Sequence, residues 1–246
     1  MEPVFVRPPG PIKVWNAVES VKKDGSGEKI IFSIQEIPED RYEDVVEHMV
    51  KNFIPDEPVS ASVNAKDDPL FVEDFRTTWG EMLKQGLSVA AFVDDPNGGK
   101  AIIAGVNILG VDFKEHVATL DDFKLSSPKS RNVFGVILGL SKEADVYEKY
   151  DVDRYMYALG LSVHPSYRGQ SLGGHILNAR INIGREYKIP VTSTAFTSPI
   201  SQKLAERSGF EVLLEKDYDK IHNAEGKLAF PNIKVKTFKI MARLLY

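Results

Sequence analysis

Between Leu161 and Gly174 the chain reads Leu-Ser-Val-His-Pro-Ser-Tyr-Arg-Gly-Gln-Ser-Leu-Gly-Gly, and this segment constrains the fold more than any other. Arg154 to Val163 is apolar enough for a central strand, and Gly160 within it marks a bulge or a close backbone approach. Leu172 to Tyr187 keeps helical spacing. The segment is therefore strand, turn, helix. Gly169, Gly173 and Gly174 let a ligand come close to the backbone. The first turn of the helix offers unpaired N–H groups and a positive dipole end, and Arg168 adds a cation. Together they suit a pyrophosphate. No Gly-Lys-Ser/Thr follows, so this is not a P-loop, and the glycine spacing is not that of a dinucleotide fingerprint.

Around that segment, strands and helices alternate, as in a mixed α/β layer structure. Strands are expected at Ile30–Ile37, Leu87–Val93, Lys100–Val111, Val191–Phe196, Phe210–Lys216 and Lys234–Leu245. Tyr42 to Phe53 repeats apolar residues at helical spacing. Asp68-Pro69 opens a second helix, with Asp68 as N-cap and Pro69 at its first position. Val117 to Tyr150 reads as mostly helical, and Ile200 to Ser208 as a short helix stopped by Gly209. Residues 1–29, rich in proline and glycine, read as an extended N-terminal arm. Residues 30–246 read as a single domain, with helices on both faces of a twisted mixed sheet.

The 246 residues contain no cysteine, which removes disulfides, thiolate zinc sites and cysteine nucleophiles. The five histidines have no paired zinc spacing, so no metal is expected. A formal net charge of −4 gives no electrostatic reason for nucleic acid. No apolar run approaches transmembrane length and the N-terminus lacks a signal-peptide core. The expectation is a cytoplasmic protein that binds no membrane and is a monomer or weak dimer.

The His-Pro-x-Tyr-Arg-Gly lead-in, with Arg168, Ser171 and Gly173 at the positions of the Arg/Gln-x-x-Gly-x-Gly/Ala signature, resembles the GCN5-related N-acetyltransferase (GNAT) superfamily. Ser171 departs from the usual glycine. Phe53-Ile54-Pro55-Asp56-Glu57-Pro58 and Ser201–Phe210 are similar to segments of insect arylalkylamine N-acetyltransferases. The resemblance implies a GNAT fold, acetyl-CoA as co-substrate and a small amine as acceptor. Arg168, Gly169, Gln170, Ser171, Leu172, Gly173 and Gly174 would wrap the pyrophosphate. Leu161, Ser162 and Val163 would pair with the pantetheine arm as a strand pairs with a peptide.

The reaction so implied sets three chemical demands. An alkylamine with a pKa near 10.4 is a free nucleophile in about one molecule in a few thousand at pH 7. Selecting that form costs on the order of 4–5 kcal/mol of barrier unless a base assists. The resemblance assigns Glu57 as this base and as an attractor for the cation, with Phe53 beside it; without the resemblance Glu57 reads as a solvated loop carboxylate. A backbone N–H within Leu161–Val163 would stabilise the oxyanion. Ser201, with Ser198 and Tyr218 as alternatives, would serve the departing sulfur. Ser198 before Pro199 also reads as a plain N-cap. Direct transfer in a ternary complex onto arylalkylamines such as dopamine, serotonin or tryptamine is the expectation. Polyamine, agmatine or peptide acetylation, or acyl-CoA binding without catalysis, are the alternatives. Asp121, Asp122, Glu143 and Asp145 read as a solvated helix face, and are available as extra carboxylates if the acceptor is a polyamine.

Overall fold

A computed structural model describes residues 5–22 and 25–246. One eight-stranded sheet carries the fold, in the order β1-β2-β3-β4-β5-β6-β8-β7. The strands are β1 Val14–Val21, β2 Lys29–Glu36, β3 Val89–Val93, β4 Ile102–Phe113, β5 Arg154–Val163, β6 Val191–Phe196, β7 Glu211–Asp217 and β8 Thr237–Leu244. All neighbours are antiparallel except β5 and β6. That parallel pair holds a single register position, Met156 opposite Thr192. Beyond it the two strands part and leave a V-shaped split in mid-sheet.

The helices are α1 Tyr42–Asn52, α2 Pro58–Ser62, α3 Pro69–Leu83, α4 Pro128–Ala144, α5 Val146–Tyr150, α6 Leu172–Tyr187 and α7 Pro199–Arg207. Helices α1, α3 and α4 cover one face through Met49, Phe75, Trp79 and Phe134, packed on Val106 and Ile108 of β4. Helix α6 covers the other through Ile176, Ala179 and Ile183, packed on Leu109 and Met156. The start of α3 is as the sequence requires: Asp68 accepts the Phe71 N–H at 3.1 Å, and Pro69 needs no partner for its missing donor.

Two segments differ from the sequence reading. The sheet begins at Val14 rather than Ile30, because Val14–Val21 of the N-terminal arm pairs with β2 as an edge strand. Its residues are mostly exposed, so it lacks the apolar run that marks the inner strands. Met1–Val4 and Lys23-Asp24 of that arm lie outside the described residues. The expected helix over Val117–Tyr150 starts only at Pro128. Before it, the chain makes a short 3₁₀ turn at Leu120–Asp122, closed by reciprocal bonds between Thr119 and Asp122. Among the described residues no helix is long and apolar enough to cross a membrane.

Candidate active site

Strand β5 carries a bulge where the split opens. Asn107 of β4 faces Leu161, yet Leu109 faces Ala158, so β5 fits one extra residue. Gly160 has φ +114°, and a Cβ there would lie 2.7 Å from Met49 Cε and 3.1 Å from Phe53 Cε2. Only glycine fits, and Phe53 rests against the bulge. Two side chains take the carbonyls the bulge frees. Trp79 Nε1 donates to Leu159 O at 2.8 Å, and Asn107 Nδ2 donates to Gly160 O at 2.8 Å. After the bulge, His164 N–H donates to Ala104 O at 2.9 Å. By strand alternation Ser162 also turns toward β4, and the Leu161 and Val163 amides face the split.

At the end of β5 the turn is tightly shaped. Arg168 Nε donates to Val163 O at 2.9 Å, Gly169 has φ +74° and Ser171 has φ +58°. Ser171 thus holds a left-handed conformation where glycine is cheaper by roughly 1 kcal/mol. Among the described residues, the backbone N–H groups of Gly169 through Gly173 donate to no protein acceptor, and the buried Oε1 of Gln170 lacks a partner. A Cβ on Gly173 would meet nothing nearer than Leu204 Cδ2 at 3.5 Å. Internal packing therefore does not demand glycine there, whereas a ligand seated on the open amides would. These features fit a pyrophosphate.

A continuous cavity of about 1570 Å³ runs from this turn, past the bulge, to the far side of β5 under α4. Gly173, Leu161, Phe53, Glu57, Ser198 and Ser201 all line it. The sequence-derived site residues therefore come together at one cavity, except Gln170 and Tyr218, which do not line it. Glu57 is half-buried and caps α2: its carboxylate accepts from Val59 N at 2.9 Å, Ser60 N at 2.7 Å and Ser60 Oγ at 2.8 Å. Ser198 and Ser201 form a reciprocal capping box at the start of α7, with their hydroxyls 3.0 Å apart. The Tyr218 hydroxyl donates to Thr197 O at 2.9 Å, and its pKa is raised by burial and by the Glu57 charge. His48 of α1 faces the same strand, its Nε2 3.2 Å from Ser162 Oγ, and burial pulls its pKa down to about 4.

Of the carboxylates available for a polyamine, Asp122 is spent on Thr119 and Glu143 pairs with Lys216 at 2.5 Å. Asp145 caps α5, accepting from Glu148 N at 3.2 Å, and also lines the cavity. The sequence reading missed Asp112, hidden inside a strand. It is buried, lines the cavity with Tyr147, Tyr155 and Tyr157, and accepts from Tyr147 OH at 2.7 Å and Ala118 N at 3.2 Å. Burial raises its pKa. An acidic residue at the end of a long apolar strand was the available signal.

Residues 131–210 match the acetyltransferase (GNAT) family model. That stretch is a GNAT acetyltransferase domain, and the chain carrying it is an acyltransferase of GNAT fold. This acetyltransferase superposes on a putative arylalkylamine N-acetyltransferase 7 of the yellow fever mosquito with a TM-score of 0.86 and 29% identity, over 96% of each chain. A mosquito arylalkylamine N-acetyltransferase like 5b gives a TM-score of 0.74 at 25% identity, over 87% of this chain and 99% of the other. A Drosophila melanogaster polyamine N-acetyltransferase that forms N-acetylagmatine shares the fold, with a TM-score of 0.73 at 16% identity over 87% and 99%. No curated protein sequence matches the GNAT chain significantly.

Proposed function

We propose that this acetyltransferase transfers the acetyl group of acetyl-CoA directly to a small primary amine with an aromatic or apolar body. The carrying observation is that the open amides of the turn, the bulge of β5 and the Glu57 carboxylate share one cavity. The Arg168–Gly174 turn would hold the pyrophosphate, and the Leu161 and Val163 backbone would extend the sheet toward the pantetheine arm. One of those amides would face the carbonyl oxygen as it becomes negative. Glu57 would attract the ammonium group and accept its proton, directly or through water. Its three hydrogen bonds fix the carboxylate in place, which suits a base that must meet the amine in one geometry. Phe53, Phe75, Phe134 and Tyr157 supply an aromatic wall for the substrate's body, and α4 roofs it. Ser198 or Ser201, both lining the cavity, would donate to the sulfur by giving up a bond of the capping box.

Asp112 favours one second reading. A carboxylate among three tyrosine rings at the far end of the cavity suits an amine with a second cation, such as a polyamine. The experiment that tests both is turnover with acetyl-CoA across an amine panel, with thiol release as the readout.

A further inference from the structure

Arg180 of α6 is 1% exposed. No charged group acts on it, and burial pulls its pKa down to about 9, which still leaves the guanidinium charged at neutral pH. Its partners are all neutral. Nε donates to Asn107 Oδ1 at 3.0 Å, and Nη1 donates to Thr192 Oγ1 at 3.1 Å and Thr194 Oγ1 at 2.9 Å. The Phe210 ring lies 6.0 Å from the guanidinium carbon. Nη2 has no acceptor among the described residues, and Arg180 lines the cavity.

The location matters as much as the charge. Thr192 is the last position at which β6 pairs with β5, and its hydroxyl donates to Met156 O at 2.9 Å. Asn107, held by Arg180 on one side, donates to the bulge carbonyl of Gly160 on the other. The guanidinium therefore ties β4 to β6 behind β5, at the point where the sheet forks. A methionine or leucine would fill such a space at no desolvation cost, and replacing buried charge by apolar volume is often neutral or stabilising. A buried cation without a counter-ion is costly, and it is worth keeping where an anion arrives.

We propose that Arg180 supplies the positive potential at the floor of the split that stabilises the CoA thiolate as it leaves the acyl carbon. This rests on the acetyl-CoA reading above. In the step, the amine nitrogen forms a bond to the acyl carbon and its proton passes to Glu57. The C–S bond breaks, its electron pair goes to sulfur, and the thiolate takes a proton from water later. Arg180 also positions the bulge through Asn107. The groups that touch Arg180, namely Asn107, Thr192, Thr194 and the Phe210 ring, do not titrate. Glu57, Asp112, Tyr157 and His175 line the same cavity, and comparison with Arg180→Met at each pH separates their effect from that of Arg180.

The test needs no turnover. The affinities of CoA and desulfo-CoA are measured by calorimetry from pH 6.5 to 9.5, and the bound thiol is titrated by its thiolate absorbance. A free thiol has a pKa near 8.5. Wild-type protein should lower the bound thiol by about one unit or more, so that CoA gains about tenfold over desulfo-CoA as pH rises. Arg180→Met should abolish that gain, and Arg180→Lys should retain much of it. A merely structural arginine would weaken both ligands alike and leave their ratio flat. A wild-type ratio that does not change with pH overturns the proposal by itself, whether or not Arg180→Met folds. Failure of the protein to bind CoA at all would overturn the acetyl-CoA reading together with it.

Discussion

Arg168 Nη2 lies 2.5 Å from Asp56 Oδ2, which ties the phosphate turn to the loop that carries Glu57. Both side chains are about half exposed, at 46% and 53%, so the pair adds little to stability. Its consequence is geometric: the cation of the turn is held on the same cavity as Glu57, the residue after Asp56. Arg168→Gln should weaken CoA binding about tenfold or more and reduce its salt dependence, because one phosphate-facing charge is lost. Asp56→Asn should leave Tm within about 2 °C of wild type, as befits an exposed pair. Calorimetry and a thermal melt check both.

Gly173→Asp should fold normally and lose CoA. The space around a Cβ at this position is open, so the fold does not resist the side chain. A carboxylate beside the open amides would take the place of the phosphate and repel it. Unchanged Tm with at least a tenfold loss of CoA affinity is expected. Unchanged affinity would remove the turn from the binding site.

Glu57→Ala has two separable effects. The cap of α2 is lost, costing about 1 kcal/mol of stability. The base is lost as well, which should lower kcat by on the order of a hundredfold at pH 7 with CoA affinity intact. The deficit should shrink at high pH, where the amine deprotonates unaided. A pH profile of kcat for folded variant protein measures this. A near-normal rate at pH 7 would leave Glu57 as a cap alone.

His48 sets a stability limit in acid. Its pKa falls from 6.5 to about 4, chiefly by desolvation and also by the neighbouring charges of His164 and Arg168. A group depressed in the folded state is fully stabilising above its unfolded pKa. That contribution, on the order of 3 kcal/mol, is lost as pH falls from about 6.5 toward 4. Urea unfolding of wild type and His48→Gln at pH 7.5, 5.5 and 4.5 should show a smaller loss in the variant. Parallel curves would contradict the assignment.

Much of this was legible in the sequence because the decisive features are local. The β5 strand, its glycine bulge, the turn and α6 all declare themselves through apolar runs and glycines, and the observed β5 and β6 bounds are those expected. What was hidden depends on tertiary placement. β1 alternates too weakly to stand out, since only Val18 in it is buried. Arg180 reads as a surface residue of an amphipathic helix until the fork of the sheet is placed beneath it. Asp112 reads as a strand-end polar residue until Tyr147 closes over it. Ser198 carried both meanings from the start, as an N-cap and as a donor to sulfur, and the capping box is the one the geometry displays.

The central claim is amine-dependent acetyl transfer, and the most direct measurement is thiol release from acetyl-CoA with tryptamine, dopamine, agmatine, spermidine and a short peptide. Rapid release with the arylalkylamines, slower release with the peptide, and a preference for the aromatic amines over the polyamines are expected. A tenfold preference for agmatine or spermidine, abolished by Asp112→Asn, would replace the aromatic pocket by an acidic one and leave the acetyl transfer standing. No amine-dependent release with any small amine would contradict the account.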